Sequence, residues 1–355
     1  MADPECDFLH DISDTPYLYT QADSMDIIRV CSRPSGGDDF ENEAATVISS
    51  CYRGQEVAKL APLQRDSAKK ASDLGNLDRI PLEVLQFVIL ELDLESLLEF
   101  RRVNYYVREC VDSVHQFQIM KSHALDMFWT LVRTKLAMRV TLSEFYRVLC
   151  TDECAYCSMI GGLVFLPTWT RYCYACLKSW PLEIGGRRGH IPPMPTAMTP
   201  LSTARQFLSL GKINLSSLGG IESIPGSYGP HQYKYKGRRR RLIPVRVVFD
   251  AFRKKYPSKE LTFKKIMHRL RPRRVWTFMS CGAMQIYSPK SGHTRHGLTC
   301  AGCSHLNGAK KYVGDEEEEW ELEISSEGHH STNSFLKHFT WCIHAQDLWR
   351  KHLNA

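Results

Sequence analysis

The thirteen cysteines of this 355-residue chain are where chemistry is most legible. Cys154 and Cys157 form one CxxC pair and Cys173 and Cys176 a second, with fifteen residues between the pairs. A thiolate binds zinc at about 2.3 Å, and two such knuckles complete a tetrahedron, so this spacing reads as a four-cysteine zinc site; the alternative is four buried free thiols. Four protein ligands leave no coordination position for water or substrate, which implies a structural role. Cys300 and Cys303 form a further knuckle with no fourth pair after it. The stretch Phe335 to Cys342 has helix-forming character, and His338 and Cys342, four apart, share one helical face. They complete a three-thiolate, one-imidazole zinc set across the 34 residues between Cys303 and His338, a gap whose closure entropy grows only slowly with length. Cys281, His296 and His305 are rival ligands for this second site, and a metal-free reading packs His338 in the core. Cys6, Cys31 and Cys51 fit no metal template and read as free thiols.

Nothing else in the chain supports turnover. A RING cross-braces two zincs within one compact ligand series, whereas Cys176 and Cys300 stand more than 120 residues apart with nothing interleaved. No cysteine falls in a Cys/His nucleophile signature, and Ser/His/Asp, Walker and dinucleotide patterns are missing. The expectation is a non-enzymatic protein.

Composition sets the frame for these sites. With 43% hydrophobic residues, the chain holds enough apolar material for one large or two modest domains. No apolar run approaches the roughly 18 residues of a membrane span, and the acidic start MADPECDFLHD lacks the basic and apolar regions of a signal peptide. The expected compartment is the reducing interior, cytoplasm or nucleus, where spaced cysteine pairs more often bind metal than form disulfides. No membrane partner is expected.

The elements that must position the ligands begin near residue 76. Residues 1–75 are poor in apolar clusters and rich in Asp, Ser, Pro and Gly, and read as a mostly disordered leader, with Ala44 to Ser50 able to pack locally. From Leu77 to Val114 the pattern predicts three short helices. Pro81 suits the first helical position and Glu83 the positive end of the dipole. Ile80, Val84, Leu85, Val88 and Leu92 recur at helical spacing, while Leu82, Phe87, Ile89 and Leu90 fill much of the remaining circumference, so the helix must be covered on nearly all sides. Asp93 can cap a second helix bearing Leu94, Leu97, Leu98 and Phe100, and a third carries Val103, Val107, Cys110 and Val111. So short a stretch cannot bury all of this alone; either a partner covers it or it opens a larger helical core. Downstream, Phe117, Met120, Ala124, Phe128 and Leu131 continue a helical period toward Met138, and Thr141 with Glu144 offers a capping box. Gly161 to Pro167 suits a ribbon and turn between the knuckles, in a stretch with little core of its own. Residues 185–230 are punctuated by Gly and Pro, with one helix expected from Thr199-Pro200 through Leu208.

The stretch LDRIPLEVLQFVILELDLESLLEFRRVNYYVRECV also resembles an F-box. The resemblance rests on Leu77, Ile80, Pro81, Glu83, Val84, Ile89, Leu92, Asp93, Leu94, Leu97, Leu98, Arg102 to Asn104, Val107 and Arg108; Ile80 stands where leucine is commoner, a change that keeps volume and polarity. RYCYACL at the end of the first knuckle pair and the closing FLKHFTWCIHAQDLW are similar to segments of fungal F-box proteins. The resemblance implies docking on a Skp-type adaptor, and through it a cullin, by Leu77, Ile80, Pro81, Val84, Leu85, Ile89, Leu92, Leu94, Leu97, Leu98 and Val103. The rest of such a chain recruits a protein substrate to a ubiquitin ligase complex for ubiquitination.

Between Lys234 and Arg274 the chain carries seventeen Lys or Arg against Asp250 and Glu260, including the run Arg238, Arg239, Arg240 and Arg241. Such a segment suits polyanions or nuclear import, or is neutralised within the fold by the acidic block Asp315 to Glu323. A nuclear zinc protein binding nucleic acid through residues 234–274 is the second functional reading, but no nucleic-acid-binding module is visible in the sequence and nucleic acid is not the expected partner. The expected fold is mainly α: a leader (1–75), a three-helix F-box (76–123), and an irregular zinc-stabilised helical region with little β (124–355), its two Zn2+ sites at 154–176 and 300–342.

Overall fold

Side chains that satisfy the first backbone N–H groups fix where the helices begin. Asp93 accepts from the N–H groups of Glu95 and Ser96 at 3.1 and 2.9 Å, and Asn104 from that of Val107 at 2.8 Å. Thr141 and Glu144 form the reciprocal capping box expected of them. Each such cap stabilises by about 1 kcal/mol. The computed structural model describes residues 15–34, 77, 79–157, 159–173, 176–177, 196–208, 220–228, 233–258, 262–295, 297–303 and 330–354. Helices dominate them and the strands are two to four residues long, so the chain is mainly α. No helix among the described residues is long and apolar enough to cross a membrane.

Three helices, Leu82–Glu91, Leu94–Arg101 and Tyr105–Ser113, follow one another. Pro81 is the N-cap, not the first helical residue, its ψ of 143° being extended. The apolar period after them is cut at Ala124, whose φ of −143° separates helix His115–His123 from helix Leu125–Arg133. Helix Leu142–Cys150 comes next. Two backbone bonds stitch the triad to it: Leu94 N–H to Val140 O at 3.0 Å and Leu142 N–H to Leu92 O at 3.1 Å. One apolar cluster then runs from Leu85 through Phe117, Phe128, Phe145 and Phe165 to Tyr287. The division expected after residue 123 therefore falls inside a shared core.

The ribbon expected between the knuckles is present, with Leu163–Phe165 antiparallel to Thr170–Tyr172. It is not short of core. Its first strand also pairs with Cys281–Ala283, more than a hundred residues on, and all three of its residues are buried. A second cluster encloses Ile243, Val248, Phe252, Ile266 and Leu270. Helices Leu201–Leu208, Val245–Lys255 and Phe263–Leu270 build it against a sheet in which Met198–Pro200 and Ile221–Glu222 flank Arg241–Pro244. Thr199 and Pro200 pair in that sheet instead of opening the helix, which starts at Leu201.

The third cluster corrects the reading of the leader. Helix Ser24–Cys31 runs into strand Ser32–Pro34, which pairs antiparallel with Leu298–Cys300. Ile27 and Cys31 are fully buried against Phe335, Phe339, Ala345 and Trp349 of the C-terminal helices Thr332–Trp341 and Ile343–Leu353. Burial of this apolar side against the C-terminal helices offsets the cost of ordering the segment. Cys6, Cys51, Ala44 to Ser50, His296, His305 and the acidic block lie outside the described residues.

Candidate metal centres

The first knuckle is a tight loop closed at its base. Cys154 N–H donates to Met159 O and Gly161 N–H to Asp152 O, both at 2.8 Å, and Ala155 N–H reaches Arg171 O on the ribbon at 2.9 Å. A Cβ on Gly161 would stand 2.8 Å from the Arg171 Cβ and 3.1 Å from Glu153 O, so only glycine permits this approach. Arg171 itself is buried. Its guanidinium donates to Val148 O at 2.7 Å, to Gly161 O, Met284 O and Gln285 O at 2.8 Å, and to Leu149 O at 3.4 Å. It thereby ties the knuckle, the capped helix and the strand region after Cys281 to one point. Burial pushes its pKa down to about 9, which leaves it protonated at neutral pH.

Cys154, Cys157, Cys173 and Cys176 converge so that their sulfurs all lie within 4.8 Å of one another. Cys157 Sγ is 3.6 Å from Cys173 Sγ and 3.5 Å from Cys176 Sγ. A tetrahedron with metal–sulfur bonds of about 2.3 Å has edges of about 3.8 Å, so the four sulfurs suit one ion. Backbone N–H groups also face the sulfurs, from Tyr156 to Cys154 at 3.5 Å and from Cys176 to Cys173 at 3.3 Å, which favours thiolates. The thiols compete for ionisation. A hydrogen bond from Cys157, with others from Cys173 and Cys176, holds Cys154 far below the ordinary thiol range, while the bond to Cys154 pushes Cys173 and Cys176 up. A cation is what lets four such groups be thiolates together.

The second centre gathers Cys300, Cys303, His338 and Cys342 within the same limit. Cys303 Sγ is 3.5 Å from His338 Nε2 and from Cys342 Sγ, and Cys300 Sγ is 3.9 Å from Cys342 Sγ. Cys300 sits at the end of a strand and His338 on helix Thr332–Trp341; Cys342 lies at the junction with the next helix. The knuckle packs so tightly on that junction that a Cβ on Gly302 would fall 2.6 Å from Ala345 N. His330 lies tilted against the His338 ring, with centroids 4.6 Å apart, and meets Ser334 Oγ through Nδ1 at 3.3 Å. Hydrogen bonding from Cys303 and Cys342 pulls the Cys300 thiol far down, and the bond to Cys300 pushes Cys303 up. Of the rivals, Cys281 lies apart in the first cluster and donates to Thr277 O at 3.1 Å. Both donor sets fit a metal ion, and both are closed by four protein ligands.

Cys31, read as a plain free thiol, borders the second centre. Its Sγ donates to Ala345 O at 3.3 Å, and burial, then the neighbouring Cys300 and Cys342, push it up to about 12. No spacing rule reveals it, because its neighbours lie near the opposite end of the chain.

The helical triad divides the residues expected to dock an adaptor. Leu85, Ile89, Leu94 and Leu97 are buried in the chain's own core, because the capped helix and the third triad helix cover that side. Ile80, Leu92 and Leu98 are half-buried, and Leu77, Pro81, Val84 and Val103 are exposed. Leu82, Phe87, Val88, Tyr105 and Tyr106, outside the expected docking set, are exposed too; Phe87 reaches 69% and Val103 66%. These exposed apolar side chains stand on the triad beside the buried ones.

In the basic run, Arg239 and Arg241 approach Glu222 at 3.7 and 3.6 Å, and Arg240 lies over the Tyr235 ring. No protein-family model, curated protein or solved structure matches the chain.

Proposed function

We propose that the chain is a non-catalytic adaptor subunit of a Skp–cullin–F-box ubiquitin ligase, with Zn2+ at both closed centres. The helical triad is its F-box and docks on the Skp-type adaptor; the remainder, built around the two zinc centres, recruits a protein substrate. The observation that carries this reading is the apolar face of Leu82, Val84, Phe87, Val88, Val103 and Tyr106, left uncovered by a core that buries the opposite side of the same helices. Two sets of sulfur-rich, tetrahedrally spaced donors favour zinc and offer no open position for chemistry, in keeping with a scaffold.

The test is co-purification with a Skp adaptor. Phe87→Asp and Val103→Asp place charge on the exposed face without touching the core, unlike changes at Leu97, which would unfold the triad. We expect the intact chain to retain the adaptor and the double variant to lose at least about 2 kcal/mol of affinity, some 30-fold. Absence of adaptor binding by the folded, metal-loaded chain would overturn the reading.

A further inference from the structure

Among the described residues, the surface of the module around the second cluster is predominantly cationic. Every described lysine and arginine side chain from Lys236 to Arg273 is exposed. The ion pairs that these cations make among the described residues draw on two carboxylates: Glu222 with Arg239 and Arg241, and Asp250 with Arg246 at 3.2 Å. Arg238, Arg253, Lys254, Lys265, Arg269 and Arg273 stand outside these pairs. A face that is merely solvated mixes both signs, since uncompensated like charges repel one another and weaken the fold. Cations in the last turns of helices Val245–Lys255 and Phe263–Leu270 favour the helix dipoles, but the terminus effect fades within a turn and does not extend to Arg238 or Arg273.

Aromatic rings are interleaved with these charges. Arg246 and Arg253 both lie 5.7 Å from the centre of the half-buried Phe249 ring, Lys255 lies 5.3 Å from that of Tyr256, and Arg273 lies 5.8 Å from that of Trp276. Guanidinium forks match phosphate oxygens, and partly open rings beside them offer faces on which bases can stack. We infer that the exposed cationic shell of this module binds the phosphate backbone of a nucleic acid, RNA or DNA. This is independent of docking by the helical triad. An acidic protein segment matches the charge but not the alternation of cation and ring.

The experiment uses the full, metal-loaded chain with a fluorescent RNA strand and a DNA duplex, titrated from low to physiological salt, with polyglutamate as competitor. We expect binding to weaken steeply with salt; the relative affinities for strand and duplex distinguish the two sources of phosphate. The triple variant Arg253→Gln, Lys254→Gln, Arg269→Gln should bind about tenfold or more weakly, with its log–log salt slope lowered by up to about 0.9 for each duplex phosphate no longer neutralised. The pair Arg238→Gln, Lys265→Gln, at other positions on the module's surface, should move both readouts in the same direction. Lys121→Gln, Arg147→Gln, Lys351→Gln removes as many exposed charges elsewhere and should leave both unchanged. Thermal midpoints verify that each variant is folded. Salt-independent binding, equal loss in the two triple variants, or displacement by polyglutamate as effective as by nucleic acid of equal charge would overturn the inference.

Discussion

Arg171 shows how a single side chain can hold distant elements together. Its five carbonyl partners belong to residues from Val148 to Gln285, and no carboxylate lies among them. Replacing it with methionine would fill similar volume but leave these acceptors without their donor. Arg171→Met should therefore destabilise the chain by about 3–5 kcal/mol, as the breaking of a buried charged network does. Urea unfolding of the metal-loaded protein measures this, and a loss below about 1 kcal/mol would show that water replaces the guanidinium at little cost. In sequence, the arginine reads only as one letter of RYCYACL, because its burial depends on carbonyls more than a hundred residues away. The eight metal ligands are the opposite case. Their chemistry is local, with the three knuckles and the His338/Cys342 pair set by separations of three or four residues, so spacing marks each pair, although it leaves rivals for the second set.

Among the elements, those fixed by short-range chemistry were legible. Asp93 and Thr141 name their helices, since a cap needs only the next three residues. The ribbon between the knuckles follows from its apolar run, although its third strand does not. The segment of residues 15–34 was not legible at all: its apolar positions span two turns, and the surface that covers them lies beyond residue 297. This strap touches the strand that ends at Cys300 and the helix that carries His338. Ser32 pairs with Cys300, Tyr17 N–H donates to Thr340 O at 2.8 Å, and Tyr17 and Tyr19 lie edge-on to Phe339. Weakening the strap should therefore weaken that centre alone. Native mass spectrometry should find about two ions in the intact chain, and Ile27→Asp, which puts a charge at a fully buried position, should release one of them at lower chelator concentration than the intact chain does. Equal chelator sensitivity of the two chains would show that the strap and the centre are uncoupled.

At the scale of the whole molecule, three apolar clusters account for the described residues, and each binds parts far apart in sequence. The first joins the triad to residues near Tyr287, the second folds the basic segment onto its own small sheet, and the third closes the C-terminal helices with the strap. Hydrophobic periodicity marks which residues seek cover but does not say which partner supplies it. The triad illustrates both outcomes. Leu85, Ile89, Leu94 and Leu97 are covered by the chain itself, whereas Leu82, Val84, Phe87, Val88 and Val103 are not. The even apolar coating of Leu82–Glu91, which from sequence alone demands burial all round, is thus split between a core and an exposed side.

Calorimetric titration of the metal-loaded chain with a purified Skp adaptor, over a range of temperatures, tests that division most directly. Burial of the apolar face predicts saturable one-to-one binding with a negative heat-capacity change, abolished or much reduced by Phe87→Asp and Val103→Asp. Binding that survives both substitutions with its heat-capacity change intact, or no binding by the folded chain, would contradict it.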